Sequence, residues 1–152
     1  MVDFVFRRAV IGDAASVTAL VRAAYAKWAP VIGREPMPMR VEYERNILDH
    51  HLEVLVHAGA VVAVLEVIDR PEHLWIENVA VSPALQGKGL GRRLLVRAEE
   101  LASMLGHNRI ALLTNGAFEA NVSLYGKVGF VVDRTEPFMD GVTVYMSKQL
   151  VA

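Results

Sequence analysis

One segment of the chain, residues 74–115, constrains the fold more than any other. It begins with LWIENVAV (74–81), an almost uninterrupted apolar run that is typical of a central strand. A glycine-rich loop, QGKGLG (86–91), comes next, followed by apolar residues at helical spacing over 90–105 and by a second strand-like run, RIALLTN (109–115). Because two parallel strands need a crossover connection, this order predicts a βαβ unit with a parallel pair of strands.

The segments around this unit predict further strands and helices. They are a strand at 4–10, a helix over 14–28 with Asp13 as its N-cap, a loop at 29–38, a helix at 39–51, two strands within 52–68, a helix at 119–129, and closing strands at 130–135 and 142–150. The order β-α-α-β-β-β-α-β-α-β-β predicts an α/β fold of the mixed-sheet (α+β) kind. We expect a single domain, residues 1–152, with about seven strands in one twisted sheet and helices on both of its faces.

The helix that follows the glycine-rich loop is amphipathic. Its predicted buried face consists of Leu90, Leu94, Leu95, Ala98, Leu101, Ala102 and Leu105. Gly106 is its predicted C-cap, because glycine adopts the left-handed conformation in which helices often end. This helix should therefore cover one face of the sheet.

The composition excludes several functional classes. The chain has 152 residues, 53% of them apolar, and no cysteine, which rules out disulfides, thiolate metal sites and a cysteine nucleophile in this sequence. Its five histidines lack the spacing of metal ligands, so no metal site is predicted. A net charge of −1 provides no basic field for nucleic acid, and no apolar run is long enough to span a membrane. Since a signal-peptide pattern is also missing, we expect a cytoplasmic protein that binds neither nucleic acid nor membrane.

The glycine-rich loop at 86–91 predicts a site for a phosphate or pyrophosphate group. The first N–H groups of a helix have no partner within it, and glycine allows an anion to approach them closely. Lys88, Arg92 and Arg93 add positive charge. The spacing is neither GxGxxG nor GxxxxGK[ST], which excludes the dinucleotide and P-loop patterns. The alternative is a tight turn whose glycines serve packing alone.

The same loop resembles the pyrophosphate loop, Q/R-x-x-G-x-G/A, of the GNAT superfamily, the acetyl-CoA-dependent N-acetyltransferases. IENVAVSP (76–83) is similar to the strand before that loop, and ALLTN with NVSLYGKVGF (within 111–130) is similar to the strand and helix after it. The resemblance covers essentially the whole chain. It implies the GNAT fold, acetyl-CoA as co-substrate, no metal, and transfer of an acetyl group to a primary amine. A small-molecule amine is favoured over a peptide, and a homodimer is a further expectation because dimers are common in this superfamily.

The resemblance also implies where the co-substrate binds. Its pyrophosphate would contact backbone amides of the loop, and its pantetheine arm would pair with the strand at 79–81. Asn115 and Asn121 resemble the polar groups that fix the arm and the acetyl end. The implied cofactor-binding residues are Val79, Ala80, Val81, Gln86, Gly87, Lys88, Gly89, Leu90, Gly91, Arg92, Asn115, Asn121 and Tyr125.

Two residues are implied in catalysis. Tyr125 matches the tyrosine that in this superfamily protonates the departing CoA thiolate, and a phenol is similar to a thiol in basicity; the alternative is a core-facing side chain. Glu77 resembles a glutamate that binds the acceptor amine or removes its proton, with Glu66 and Asp69 as further candidates. A carboxylate in a central strand is costly unless it faces a cleft or a partner, so a structural ion pair, for instance of Glu77 with Arg109, is the other interpretation.

The acceptor is expected to bind between the loop after the first helix and the turn of the last two strands. The residues implied in its binding are Tyr25, Trp28, Arg34, Glu35 and Phe138. In the absence of cysteine, direct attack of the amine in a ternary complex is the expected mechanism. Two other functions stay open, namely a non-catalytic acyl-CoA-binding or regulatory module and a nucleotide-binding protein unrelated to CoA.

Overall fold

Seven strands form one mixed sheet in the computed structural model, which describes residues 3–150. The strands are β1 (Phe4–Arg8), β2 (His51–His57), β3 (Ala60–Asp69), β4 (Leu74–Val81), β5 (Arg109–Asn115), β6 (Val131–Phe138) and β7 (Gly141–Gln149). Their order in the sheet is β1-β2-β3-β4-β5-β7-β6. Neighbouring strands are antiparallel except β4 and β5, which are parallel. The predicted α/β fold with a mixed sheet is thus confirmed.

The helices of the described residues are α1 (Ala14–Tyr25), α2 (Ala29–Ile32), α3 (Tyr43–Asp49), α4 (Leu90–Met104) and α5 (Glu119–Lys127). The prediction of a loop at 29–38 was wrong in part, because this segment contains α2. Pro30 is compatible with the start of that helix, where its missing N–H is not needed, and Gly33 ends it at φ 72°. The predicted helix at 39–51 was too long, since a 3₁₀ turn precedes α3 and His50 has the extended backbone of the following strand.

Asp13 precedes α1 but does not cap it with its side chain, contrary to the prediction. Its carboxylate accepts hydrogen bonds from Nη1 and Nη2 of Arg7, at 2.7 and 2.9 Å, and from the backbone N–H of Val10 at 2.8 Å. The hydrogen bonds from Arg7 lower the pKa of Asp13. Since bidentate arginine pairs are among the stronger hydrogen bonds of proteins, the carboxylate turns to β1 and leaves the helix end uncapped.

Each face of the sheet carries its own apolar layer. On one face, α4 packs through Leu94, Leu95 and Ala98 against residues of β3, β4 and β5. On the other face, α1 and α3 pack against β2 and β3. The predicted buried face of α4 is correct apart from Leu105, which is 50% exposed. The helix ends at Met104, and Gly106, one residue after the C-cap, has φ 83°.

The parallel strands β4 and β5 separate soon after they begin. Their Cα partners are Leu74–Ile110, Trp75–Ala111 and Ile76–Leu112. Beyond this point β4 stays paired with β3 as far as Val81, and β5 stays paired with β7 as far as Asn115. The opening between them lies at the carboxyl ends of two parallel strands, which is where open α/β sheets bind ligands.

Candidate active site

Glu77 occupies a β-bulge at the point where β4 leaves β5. Ile76 pairs with Val67 and Asn78 pairs with Glu66, so that Glu77 is the extra residue between two pairs. A bulge bends its strand and changes the direction of the side chain. As a result, Glu77 is exposed and lines a cavity, whereas both of its neighbours in the chain are buried.

The alternative of an ion pair between Glu77 and Arg109 is not what the structure has. Arg109 instead lies 3.4 Å from His73 Nδ1 through its Nη1 and 3.3 Å from Asp133 Oδ2 through its Nη2. Arg22, an arginine of α1, donates to the carbonyl of Met39 at 2.9 Å. The carboxylate of Glu77 therefore faces the opening of the sheet.

A cavity of about 290 Å³, here called the loop cavity, lies between α1, the end of β4 and the start of α4. Of the predicted cofactor-binding residues, it is lined by Val79, Ala80, Val81, Gln86, Gly87, Gly89, Leu90, Gly91, Arg92, Asn121 and Tyr125. Two members of the predicted set, Lys88 and Asn115, lie outside this lining within the described chain. Asn115 accepts a hydrogen bond from the N–H of Ala117 at 2.9 Å and so supports the turn after β5.

The glycine-rich loop presents bare backbone to the loop cavity. Gly87 and Gly89 have φ of 80° and 83°, a left-handed conformation that other residues adopt at a cost. The first hydrogen bond within α4 runs from the N–H of Arg93 to the carbonyl of Gly89 at 3.1 Å. The N–H groups of residues 90–92 thus have no acceptor within the helix, and the helix dipole adds partial positive charge there. These groups suit a pyrophosphate.

Gly91 lies where α4 approaches α5. A Cβ at this position would lie 2.9 Å from Cδ2 of Leu124 on α5. The packing interpretation of the glycines therefore applies to Gly91, while Gly87 and Gly89 shape the loop itself. The close approach of α4 to α5 brings the helix that carries Tyr125 against the glycine-rich loop.

Gln86 and Trp28 both line the loop cavity. Nε2 of Gln86 donates to the carbonyl of Val81 at 3.1 Å, and Nζ of Lys27 donates to Oε1 of Gln86 at 2.9 Å. These bonds fix the start of the loop between β4 and the end of α1. Trp28 stacks on Phe118 with ring centroids 4.9 Å apart. Although predicted as an acceptor residue, Trp28 thus lies with the predicted cofactor residues.

A second cavity of about 330 Å³, here called the inner cavity, is lined by residues of both β4 and β5 where the two strands separate. Among the predicted acceptor residues, Tyr25, Arg34 and Phe138 line it. Glu35 does not, because its carboxylate faces Arg22 at 3.5 Å. Glu77 lines this cavity as well.

Tyr125 lines both cavities, as does Asn121, so the two cavities meet at α5. The Tyr125 ring is buried and lies 5.8 Å from the ring of Phe130. Burial raises the pKa of Tyr125 to about 12, because the charged phenolate is poorly solvated there. The phenol consequently keeps its proton at neutral pH and can donate it.

A buried hydrogen-bond chain that the sequence did not indicate connects the elements around the inner cavity. The Tyr25 hydroxyl donates to Oδ1 of Asn78 at 2.9 Å, Nδ2 of Asn78 donates to the Tyr43 hydroxyl at 3.0 Å, and Tyr43 donates to the carbonyl of Pro38 at 3.0 Å. Burial raises the pKa of Tyr25 well above its usual value. The Tyr25 hydroxyl thus links α1 to β4 through this hydrogen bond, although the Tyr25 ring lines the inner cavity.

Glu66, the first alternative to Glu77, also lines the inner cavity and is 1% exposed. Its Oε2 lies 2.6 Å from Nδ1 of His50 and accepts a hydrogen bond from Nδ2 of Asn46 at 2.8 Å. Burial raises the pKa of Glu66, and the nearby Glu77 carboxylate acts in the same direction. Asp69, the other alternative, is away from this cavity and lies 2.5 Å from Nε2 of His107.

Two kinds of site are missing from the part of the chain that the structure describes. Residues 3–150 contain no group of three or more His, Asp or Glu side chains that could hold a metal ion. They also contain no helix with the length and apolar character needed to cross a membrane.

Comparisons with known proteins agree with this geometry. A family model described as the acetyltransferase (GNAT) family matches residues 18–130. YvbK, an uncharacterized N-acetyltransferase of Bacillus subtilis, is 36% identical over 92 residues, and the match spans 57% of this chain and 59% of the relative.

Solved structures show the same fold at low sequence identity. The PaiA N-acetyltransferase from Thermoplasma acidophilum, in complex with coenzyme A, has a TM-score of 0.86 and 17% identity over 97% of this chain and 99% of its own. The ribosomal-protein-S18-alanine N-acetyltransferase from Escherichia coli has a TM-score of 0.79 and 18% identity over 99% of this chain and 96% of its own. From the family match and the shared fold it follows that the chain belongs to the GNAT family of acetyltransferases, whose enzymes take the acetyl group from acetyl-CoA.

Proposed function

We propose that the protein transfers an acetyl group from acetyl-CoA to the primary amine of a small molecule, by direct attack within a ternary complex. The observation that carries this proposal is the meeting of the two cavities at Tyr125. A donor in the loop cavity and an acceptor in the inner cavity would meet beside one buried phenol. Holding two reactants in contact supplies much of the rate of such a transfer.

The loop cavity fits acetyl-CoA. The free N–H groups at 90–92 and the Arg92 side chain would bind its pyrophosphate, and the edge of β4 that has left β5 would pair with its pantetheine arm. The co-substrate supplies a thioester carbonyl that an amine can attack and a thiolate that can leave. The arm would thereby be directed towards Tyr125.

Glu77 would act on the acceptor as a proton-accepting group. An amine attacks only when it is neutral, so a base must take the proton of its ammonium form. The bulge directs the Glu77 carboxylate into the inner cavity, where no residue of the described chain forms an ion pair with it. Glu66, with its Oε2 held by His50 and Asn46, would form part of the cavity wall beside Glu77.

Tyr125 would act as the proton donor to the departing thiolate. Its pKa of about 12 ensures that the proton is present before transfer. Positioned general acids typically contribute a factor of about 10²–10⁴ to the rate. The assignment rests on the place of Tyr125 in the wall of both cavities.

The inner cavity favours a small acceptor over a peptide. Its volume of about 330 Å³ is at the lower end of the range of small-molecule sites. Phe138, at the end of β6, and Arg34, after α2, approach each other at its wall, with the guanidinium carbon 5.7 Å from the ring centre. An extended peptide would need a continuous groove at this place.

The test measures CoA release by the wild type and by Tyr125→Phe with a panel of amines. We expect Tyr125→Phe to lower kcat by about 10²–10⁴ while the affinity for acetyl-CoA stays unchanged. Tyr145→Phe is the matched control, since the Tyr145 hydroxyl donates to Glu136 at 3.2 Å on the exposed surface. Full activity of Tyr125→Phe would refute its role as the acid.

A second variant, Glu77→Gln, tests the base. It should lose activity most strongly at low pH, where less of the acceptor is already neutral, and recover part of it as the pH rises. A loss that is the same at every pH would indicate that Glu77 binds the amine without accepting its proton. If the wild type bound acetyl-CoA tightly but acetylated no amine, a non-catalytic acyl-CoA-binding module would replace the present proposal.

A further inference from the structure

We propose that the acceptor carries an oxyanion group, a carboxylate or a phosphate, in addition to its amine, and that Arg34 binds this group. The inference deepens the proposed function and rests on it. It concerns the class of acceptor, a zwitterion such as an amino acid, in contrast to a plain amine or a polyamine.

Arg34 has unused hydrogen-bonding capacity. Its Nε is buried and finds no acceptor among residues 3–150. Its Nη1 donates to the carbonyl of Glu35 at 3.4 Å, while the Glu35 carboxylate lies against Arg22 instead. A buried donor without a partner is unfavourable, so a small shift of the side chain that lets a ligand oxygen accept this hydrogen bond would favour binding.

Arg34 lies beside an aromatic ring in the wall of the inner cavity. Its guanidinium group lies 5.7 Å from the centre of the Phe138 ring, and both residues line the inner cavity. An arginine that packs on an aromatic ring still has its N–H edge free. That edge matches a planar carboxylate or two oxygens of a phosphate, which it can bind through two parallel hydrogen bonds.

The inner cavity presents side chains of both charge types to a ligand. Among its described lining residues, Arg34 is positive and Glu77 has an exposed carboxylate, while Glu66 is buried against His50. A zwitterion would set its ammonium group against Glu77 and its oxyanion against Arg34. A polyamine would instead bring a positive charge near Arg34, and a simple monoamine would leave the Nε of Arg34 without an acceptor.

The phosphates of acetyl-CoA do not explain Arg34. The glycine-rich loop and Arg92 line the loop cavity, and Arg34 is not part of that lining in the described chain. The anion that Arg34 would bind is therefore on the acceptor side of Tyr125, which lines both cavities.

The test compares acceptors that differ only in the oxyanion. Leucine is paired with 3-methylbutylamine, phenylalanine with phenethylamine, and phosphoethanolamine with ethanolamine, and the last pair separates phosphate from carboxylate recognition. We expect at least one zwitterion to exceed its partner in kcat/KM by about tenfold or more. For that zwitterion, Arg34→Gln should lower kcat/KM by about 10–100-fold, mainly through KM, and the loss for the partner amine should be at least about fivefold smaller.

Arg70→Gln is the matched control. Arg70 also lies over an aromatic ring, 4.2 Å from the centre of Trp75, but it is not a lining residue of the inner cavity. It should change neither member of any pair. Arg34→Lys should retain part of the preference, because it keeps the charge but loses the fork of two donors.

Two results would overturn the inference and leave the proposed function intact. The first is that each plain amine is acetylated faster than its zwitterion. The second is that Arg34→Gln lowers kcat/KM equally for both members of a pair. If none of the acceptors causes the wild type to release CoA, the proposed function fails. Calorimetry then tests the role of Arg34 by itself. N-acetylleucine, N-acetylphenylalanine and N-acetylphosphoethanolamine, added to the protein with CoA, should bind at least tenfold more weakly to Arg34→Gln than to the wild type. Equal affinity of the wild type and Arg34→Gln for these products, or no binding to either protein, would refute the role of Arg34 in binding the oxyanion.

Discussion

Replacement of Glu53 by glutamine is expected to destabilise the protein in a pH-dependent way. Glu53 of β2 is 4% exposed, and its two oxygens accept hydrogen bonds from Nε and Nη2 of Arg97 on α4, at 2.8 and 3.0 Å. His51 Nε2 lies 2.7 Å from Oε2 of the same carboxylate. Burial alone would raise the pKa of Glu53, but the hydrogen bonds from His51 and Arg97 outweigh it and lower the pKa to about 2. This pair holds the helix behind the glycine-rich loop against the sheet.

The magnitude follows from the difference in pKa between the folded and unfolded chains. A decrease from 4.5 to about 2 at about 1.4 kcal/mol per pKa unit corresponds to about 3 kcal/mol. Because 24% of the Arg97 side chain is exposed, water screens part of this interaction, and about 2–3 kcal/mol is the expected contribution. The folded-state pKa is lowered, so the contribution is present above the unfolded value of 4.5 and is lost as the pH falls towards the folded value.

Urea unfolding of the wild type and of Glu53→Gln, near pH 6 and at about pH 3, measures this contribution. The variant should be less stable by about 2–3 kcal/mol near pH 6, and the difference should fall below half of that at about pH 3. Asp133→Asn serves as control, because Asp133 pairs with Arg109 at 3.3 Å on the surface and should contribute less than about 1 kcal/mol. An equal difference between wild type and Glu53→Gln at both pH values would refute the reasoning.

Two further predictions concern packing and the buried hydrogen-bond chain. Gly91→Ala should raise the free energy of unfolding less than Gly126→Ala does, because the new Cβ must displace the end of the Leu124 side chain and this offsets part of the gain in helix propensity. Gly126→Ala should raise it by about 0.5–1 kcal/mol, since its Cβ would meet no described atom within 4 Å; equal effects in the two variants, measured by urea unfolding, would contradict this account. Tyr25→Phe should cost about 1–3 kcal/mol by leaving Oδ1 of buried Asn78 without its donor, and a stability within about 0.5 kcal/mol of the wild type would show that another group replaces the bond.

Patterns of neighbouring residues in the sequence predicted the strands, helices and glycine turns that such neighbours determine. The apolar run at 74–81, the glycines at 87 and 89 and the amphipathic α4 follow from the periods of strands and helices and from the conformational freedom of glycine. Each of these features is specified by residues that are neighbours along the chain. Leu105 was misplaced because the position where a helix ends changes the direction of its last side chain.

The bulge at Glu77 could not be derived in this way. It exists because Ile76 pairs with Val67 while Asn78 pairs with Glu66, and that register is set by another strand. Two polar residues in succession, Glu77 and Asn78, break the apolar run and are the signal that could have indicated it. The bulge decides which of the two faces the inner cavity and which stays buried.

The group formed by Glu66, His50 and Asn46 also depends on long-range packing. Asn46 and Glu66 are separated by 20 positions and meet because α3 packs against the sheet. Trp28 and Glu35 were predicted to contact the acceptor, but the turn of helix between them directs Trp28 to Phe118 and Glu35 to Arg22. Side-chain direction in such a segment depends on each backbone angle along it.

The loop cavity and the inner cavity are built from different parts of the chain, and this affects how such an enzyme can change during evolution. The loop cavity is shaped largely by backbone, through the conformations of Gly87 and Gly89 and the exposed edge of β4. The inner cavity owes its chemical character to side chains such as Arg34 and Phe138, on segments that connect the regular elements or end them. Under the proposed function, substitutions at these two positions would redirect the enzyme to another acceptor and spare donor binding, whereas a change at either glycine would impair the reaction with every acceptor.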